Sequence, residues 1–324
     1  MKYIKINFGS FEMNVTASCF GLELYKKNNY EPFSTDLVKY LLKPGALFVD
    51  IGAYYGYYSL LAYQSQEDVK VIAFEPAKEN FDILKMNLKH NKAKNFEIYN
   101  LAASNREGIY PFNFTEASDC AGFHKHYLTS VREIINVSTI TGDKVLNGRA
   151  ASFIKIDVEG HEIAVLEGLG KSLKNKDVTL LIEFNPTLHE IEGHKPEELL
   201  DFIKDQGFSI FVLDEFNKKY HRLTKSSSWR QIEKRSSYED YCTNLLCIKK
   251  ENTVLISYFE SVAKLISQIH EGSKLRREQA ENFQKRLEDL QIRLNQDEEF
   301  IKAIKSSKVY KLRESYHRVR KVFK

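Results

Sequence analysis

The sequence predicts an α/β fold: a mostly parallel, seven-stranded sheet with helices on both faces, followed by a C-terminal α-helical coiled coil. Three observations carry this. Seven short apolar runs alternate with helical patterns between Ala46 and Ile248, and the first runs straight into a glycine-bearing turn and a helix. After Lys250 apolar residues recur only at spacings of three and four. Runs this continuously apolar are what a parallel sheet buried on both faces requires.

Taken in order, Lys2 to Ala17 alternate apolar and polar residues around Gly9-Ser10, which reads as a β-hairpin, so residues 1–43 form this hairpin and a lead-in helix. The runs ALFVDI, VKVIAFE, FEIYNLA, SFIKIDV, VTLLIEF, FSIFVLD and YCTNLLCI then build a domain over residues 44–250. Helices such as Ala77 to Asn91 and His161 to Leu173 fall between most of them. The last run has no crossover helix before it, so it is the one strand open to an antiparallel placement. Thr115 to Ser130 and Asn217 to Ser237 break the alternation and read as insertions near the carboxyl edge of the sheet, where such folds hold ligands.

Over residues 251–305 a seam of Leu255, Phe259, Val262, Ile266, Ile269, Ala280, Phe283, Leu287, Leu290, Leu294, Ile301 and Ile304 keeps a heptad register, interrupted at Ser273, Arg276 and Asp297. A coiled coil with a weak spot near Gly272 is expected, making the protein a homo-oligomer; the alternative is a hairpin folded back on its own domain. In residues 306–324 Val309, Leu312, Tyr316, Val319 and Phe323 form one face and basic residues the others. Lys305 to Lys324 hold eight Lys/Arg and one Glu, a charge of +7 against +4 for the chain, so the remainder is about −3. A basic amphipathic helix of this kind suits an anionic membrane surface, and no nucleic-acid-binding motif accompanies it.

A hydrophobic content of 43% is that of a chain with a real core. No apolar run is long enough to span a bilayer, and the opening MKYIKINFGSFEMNV interleaves polar residues where a signal peptide needs an unbroken apolar stretch, so a cytoplasmic location is expected. Four cysteines without a CxxC pair read as reduced packing residues.

The chemistry concentrates at the carboxyl ends of the runs. ALFVDI leads into Asp50, Gly52, Ala53, Tyr54 and Gly56, a tight turn into a helix. Its spacing departs from G-x-G-x-x-G, which implies a ligand without a pyrophosphate. The second run ends in Glu75-Pro76, an acid placed to accept ribose hydroxyls, and Asn100 and Ala102 end the third, where an adenine would lie. S-adenosylmethionine fits: it carries a ribose, an adenine and an ammonium group, with Asp50 facing its methionine portion. A purely structural reading makes the glycines close-packing devices and Glu75 a helix cap.

The fourth run ends in KIDVEGHE, Lys155 to Glu162, followed by Val165-Leu166-Glu167-Gly168. With FVDIGAYYGYYSL, FEPAKENFDILKMNLKHN, NLAASNREG, LLIEFNP and NLLCI in the same order, this resembles the FkbM-type methyltransferase family over roughly Pro44 to Lys249. The resemblance implies a class I methyltransferase domain, Rossmann-like, using S-adenosyl-L-methionine to methylate oxygen, often on sugars or polyketides. Tyr54 stands where the family usually has Asn.

Methyl transfer to a hydroxyl needs a group to take its proton. Asp157, Glu159 and His161 are the candidates, with Asp157 or Glu159 favoured; His161, near a helix start, could equally cap or pack. No metal is expected, although Asp157, Glu183 and Asn185 are hard oxygen ligands that would suit Mg²⁺. His124 and His126 are assigned to acceptor binding, and Trp229 with a few other aromatics to covering the site. The segment Ile304 to Arg313 is similar to tails on bacterial surface-polysaccharide enzymes, which implies a glycan or glycolipid acceptor, glycosyltransferase partners and a peripheral position at the inner face of the membrane. Two other readings compete: a catalytically silent cofactor-binding scaffold that recruits glycan-assembly enzymes, and a nicotinamide-dependent oxidoreductase, whose phosphate-binding glycines are absent.

Overall fold

The structure is a computed structural model that describes residues 3–17, 19, 21–215, 219–223 and 242–270, the last eight as backbone alone. The hairpin forms as expected: β1 (Tyr3–Asn7) pairs antiparallel with β2 (Glu12–Thr16). Gly9 supplies the left-handed turn residue, φ +84°, and its N–H donates to Asn7 Oδ1 at 2.7 Å. Helices α1 (Leu22–Lys26) and α2 (Pro32–Leu41) lead into the sheet.

All seven apolar runs become strands: β3 (Leu47–Ile51), β4 (Lys70–Phe74), β5 (Phe96–Tyr99), β9 (Phe153–Ile156), β10 (Thr179–Phe184), β11 (Phe208–Asp214) and β13 (Thr243–Lys249). β12 (Lys219–Arg222) adds an eighth, in the order β12-β11-β13-β10-β9-β3-β4-β5. The sheet is therefore mixed rather than seven-stranded. From β10 to β5 neighbours run parallel, whereas β13 is antiparallel to both β10 and β11, and β12 is antiparallel to β11. β12 escaped the reading because an edge strand needs no apolar alternation, and its KYHR sequence has none.

Successive residues of each strand point to opposite faces. Phe48, Phe153, Leu181, Phe211 and Leu246 pack under α2, α3 (Tyr57–Ser65) and the hairpin. Val49, Ile154, Ile156, Leu180 and Ile182 pack under α6 (Glu162–Gly168) and α8 (Pro196–Asp205). Helix α4 (Lys78–His90) anchors the hairpin through Asn87, whose Oδ1 accepts the Asn14 N–H at 2.8 Å.

A second sheet was not foreseen. β6 (Ala102–Ala103), β7 (Gly108–Thr115) and β8 (Val131–Ile140) form three strands in the order β6-β8-β7, and the expected insertion Thr115 to Ser130 is the loop joining β7 to β8. Pro111 hid β7, since proline argues against a strand except at an edge, which is where β7 lies. Short helices α5 (Gly142–Leu146) and α7 (Pro186–Glu192) complete the domain.

Helix α9 (Thr253–His270) begins the expected coiled-coil region, but its first seam residues are spent on the domain itself. Leu255, Ile256 and Phe259 are buried, Phe259 lies 5.1 Å from the Tyr220 ring, and the Tyr220 hydroxyl donates to the Phe259 carbonyl at 2.8 Å. Val262 packs against the same core and Ile266 and Ile269 lie in the continuing helix, while the seam from Ala280 onward, the expected tail helix 306–324, Trp229 and most of the second insertion lie outside the described residues. Among the described residues no helix is long and apolar enough to cross a membrane.

Candidate active site

A cleft of about 230 Å³ opens along the carboxyl edge of the sheet, and the residues expected from sequence meet in it from five strands. Asp50, Gly52, Ala53 and Tyr54 line it after β3; Glu75 and Pro76 after β4; Ala102 on β6; Asp157, Glu159 and His161 after β9; Glu183 and Asn185 at the end of β10. Gly56 and Asn100 stand behind this lining. Gly56 caps α3 with φ +93° where a Cβ would lie 2.5 Å from Leu84, and Asn100 Nδ2 donates to the carbonyls of Glu75 and Pro76 at 2.9 and 2.8 Å, holding the β4 edge rather than facing the cleft.

The loop after β3 is wedged against the loop after β9. Gly52 has φ +79°, and a Cβ there would sit 1.7 Å from the Asp157 carbonyl oxygen, so only glycine fits. Gly52 and Ala53 both donate their N–H to Phe74 O, at 3.0 and 2.9 Å. Tyr54 is left-handed too, φ +49°, which suits the Asn usual in the family better than a tyrosine. Its ring stacks on Tyr55 with centroids 3.6 Å apart and its hydroxyl meets Ser118 Oγ at 3.1 Å.

Glu75 accepts the Tyr54 N–H at 3.0 Å and the Ala77 N–H at 2.9 Å, so the first loop and the acid are fixed to each other. Burial pushes its carboxyl up to about 7 against those donors. Beside it Asn80, 2% exposed, donates to Ser118 O at 3.0 Å while its Oδ1 has no partner. An orphaned buried acceptor next to a carboxylate is what a ribose hydroxyl would satisfy, so these residues fit the nucleoside of S-adenosylmethionine. Asp50, 1% exposed, accepts from Ser59 Oγ at 2.6 Å and is pushed up to about 6 by burial.

Lys155 was not singled out from sequence. It is 2% exposed on β9, directly across from Asp50 in the parallel register, with Nζ 2.6 Å from Asp157 Oδ2 and 5.0 Å over the Tyr58 ring. Burial works against its charge, but Asp157, Glu31 and Glu183 outweigh that and hold it protonated. Asp157 in turn stays below the usual carboxylate range: burial opposes its ionisation, while Lys155 and a proton donated by Glu183 favour it. Glu183 is pushed well upward by burial and by Asp157, and the Cys242 thiol donates to its Oε1 at 2.9 Å. Two neighbouring carboxyls are thus driven apart, one ionised and one protonated.

Glu159 lies at the crest of its loop with φ +57°, a left-handed conformation that costs on the order of 1–3 kcal/mol. Glu162 holds it there. Its Oε1 accepts the N–H groups of Val158 and Gly160, both at 3.2 Å, one on each side of Glu159. Glu162 is 2% exposed and burial raises it to about 8, while His189, 3.4 Å away, is lowered to about 4 by the same cause, so both are neutral at pH 7.

His126 is buried, and its Nδ1 accepts the Leu128 N–H at 3.1 Å, which leaves the ring proton on Nε2, 3.4 Å from Glu159 Oε2. Burial raises the Glu159 carboxyl. His161 has both nitrogens engaged, Nδ1 with Glu192 and Nε2 with Ser104 Oγ at 3.0 Å, under the Phe123 ring. His124 lies toward the same Glu192, 3.5 Å away. Asn185 caps α7 by accepting the Leu188 N–H at 3.3 Å; the carboxylate oxygens within 4.8 Å of one another belong to Asp157, Glu159 and Glu183.

A cleft at the carboxyl edge of the sheet, with Asp50, Gly52 and Glu75 at one end and the divergent carboxyls of Asp157 and Glu183 at the other, is the arrangement expected of a cofactor-dependent group-transfer enzyme. Residues 50–210 match the model of the methyltransferase FkbM domain, and through that domain the chain belongs to the FkbM-type family of S-adenosylmethionine-dependent methyltransferases. It is similar to the 31-O-demethyl-FK506 methyltransferase FkbM of Streptomyces tacrolimicus, 25% identical over 201 residues, covering 52% of this chain and 75% of that protein. Among solved structures it is similar to methyltransferase FkbM from Methylobacillus flagellatus KT, with 17% identity and a TM-score of 0.45 over 69% of this chain. The chain spans about half, 49%, of that structure. A SAM-dependent methyltransferase from Aquifex aeolicus matches 68% of this chain and 95% of its own length, with 18% identity and a TM-score of 0.35.

Proposed function

We propose that the protein methylates a hydroxyl oxygen of a sugar in a cell-surface polysaccharide. The observation that carries this is the opposition, in one cleft, of Glu75 with Asn80 and of Glu159 with Asp157. The named relative from Streptomyces tacrolimicus, an O-methyltransferase by its own name, supports oxygen as the acceptor atom.

When bound, S-adenosylmethionine supplies an electrophilic methyl group on a sulfonium. Glu75 and Asn80 would anchor its ribose, Asp50 would face its methionine portion, and the Gly52 turn would allow the close approach. Transfer of that methyl to the acceptor oxygen would leave the carbon–sulfur electron pair on S-adenosylhomocysteine, and Glu159 would take the hydroxyl proton. Asp157 is saturated by Lys155 and Glu183, so Glu159 is the better proton acceptor, kept in line by His126 and by the clamp of Glu162. Because its carboxyl is raised by burial, turnover rises as pH climbs through that elevated value and Glu159 becomes ionised.

Methyl transfer to purified surface glycan, read by mass spectrometry as a sugar methyl ether, tests the reading. Glu159→Gln should lower kcat by about 10²–10⁴-fold, and Asp157→Asn should lower it through displacement of Lys155. Unchanged turnover in both variants removes the assignment, and S-adenosylhomocysteine formation without a methyl ether removes oxygen as the acceptor.

A further inference from the structure

The acceptor end of the cleft gathers three carboxyl groups. Glu183 lies across from Asn244 in the antiparallel register of β10 and β13, and Asp157 follows Ile156 just as Glu183 follows its partner Ile182, so three adjacent strands bring Asp157, Glu183 and Asn244 into one row. Carboxylate oxygens of Asp157, Glu159 and Glu183 lie within 4.8 Å of one another. Asn244 lines the same cleft, is 3% exposed, and donates through Nδ2 to Glu215 at 3.3 Å, while its Oδ1 has no partner. Among the described residues the only lysine or arginine lining the cleft is Lys155, already bonded to Asp157.

From this row we infer that the acceptor sugar carries a protonated amine beside the hydroxyl that is methylated. The inference rests on the methyltransferase reading above and deepens it by naming the acceptor class. An ammonium offers N–H donors to a row in which Asn244 Oδ1 has no partner and oxygens of Asp157, Glu159 and Glu183 lie within 4.8 Å of one another. Among the described residues a carboxylate or phosphate sugar would find no cation that is not already paired, and it would face the Asp157 carboxylate. The upward pull of burial on Glu159, only partly offset by His126, agrees, since a ligand ammonium would add to that offset. A divalent cation fits less well: it wants about six oxygens, and Lys155 and the Cys242 thiol already occupy oxygens of Asp157 and Glu183.

The test uses the full chain loaded with S-adenosylhomocysteine and the methyl glycosides of glucosamine, N-acetylglucosamine, glucose and glucuronic acid, with binding measured by calorimetry at pH 7. Glucosamine should bind at least tenfold tighter than glucose or the acetylated sugar, with no binding of the glucuronide. Glu183→Gln and Asn244→Leu should each reduce that preference to within about twofold while S-adenosylhomocysteine affinity stays at the wild-type value. Equal binding of the four sugars, binding of none, or a preference for the glucuronide overturns the inference and leaves the methyltransferase reading intact. Loss of S-adenosylhomocysteine binding by the wild-type chain overturns that reading itself. A parallel titration with Mg²⁺ and Mn²⁺ alone completes it: saturable metal binding abolished by Glu183→Gln, without an amine preference, makes the row a metal site and sinks the amine.

Discussion

One added methyl group measures how tightly the cofactor loop is wedged. Gly52 and Gly45 share a left-handed backbone, φ +79° and +73°, but a Cβ at Gly52 meets Asp157 O at 1.7 Å whereas one at Gly45 meets nothing within 4 Å. Gly45→Ala should therefore cost only the backbone strain, about 1 kcal/mol, and leave S-adenosylhomocysteine affinity alone. Gly52→Ala adds an overpacking cost of roughly 1–3 kcal/mol and should weaken that affinity more than tenfold. Thermal melting and calorimetry on the two variants check this, and equal behaviour of the pair contradicts the wedge. At this scale the sequence marked the residues whose type announces their chemistry: Glu75, Asp157 and Glu159 all line the cleft. Lys155, Asn80, Glu162 and Asn244 went unread because their roles depend on what another strand or loop places beside them. A lysine inside KIDVEGHE reads as solvent-facing until the register sets it against Asp50.

Among the elements, the turn from β9 into α6 is where protonation and shape are joined. Glu162 accepts from the two amides that bracket Glu159, and it does so as a neutral acid, raised to about 8 by burial. The folded state thus holds a proton that the unfolded chain, with an ordinary glutamate, releases near pH 4.5. Where the native state binds more protons, stability falls as pH rises. The contribution of Glu162 is complete below about 4.5 and is lost between there and about 8, with Glu75 and Glu31, both raised to about 7, acting in the same direction. Melting temperature should decline from pH 5 to pH 9, and Glu162→Gln, which keeps the oxygen acceptor and has no proton to lose, should flatten that decline. An identical slope in the variant assigns the decline to other groups. The apolar runs were legible as strands because burial on both faces leaves nothing else for them to be. β7 and β12 were not, since one holds a proline and the other is polar, and their pairing is decided by partners rather than by their own sequence.

Over the whole molecule, the strand order divides the labour of the cleft. β3, β4 and β6, within residues 47–103, carry the end of the cleft proposed to hold the nucleoside, and β9, β10 and β13 carry the end proposed to hold the acceptor. The strand expected from sequence to be open to an antiparallel placement, β13, does run antiparallel, and it lies between β10 and β11 rather than at an edge. A slot one strand wide therefore separates β10 from β11 until β13 arrives. Helix α9 then covers Phe211 and Tyr220 immediately afterward.

That placement gives the polypeptide a timetable. The strands of the proposed nucleoside end leave the ribosome more than a hundred residues before Thr243, yet the sheet that supports them stays split until β13 is in place. A chain stopped at Leu223 should be digested by protease as fast as an unfolded one and should fail to retain S-adenosylhomocysteine, whereas a chain stopped at His270 should resist digestion; protection of the shorter chain would show that the gap can close without its keystone.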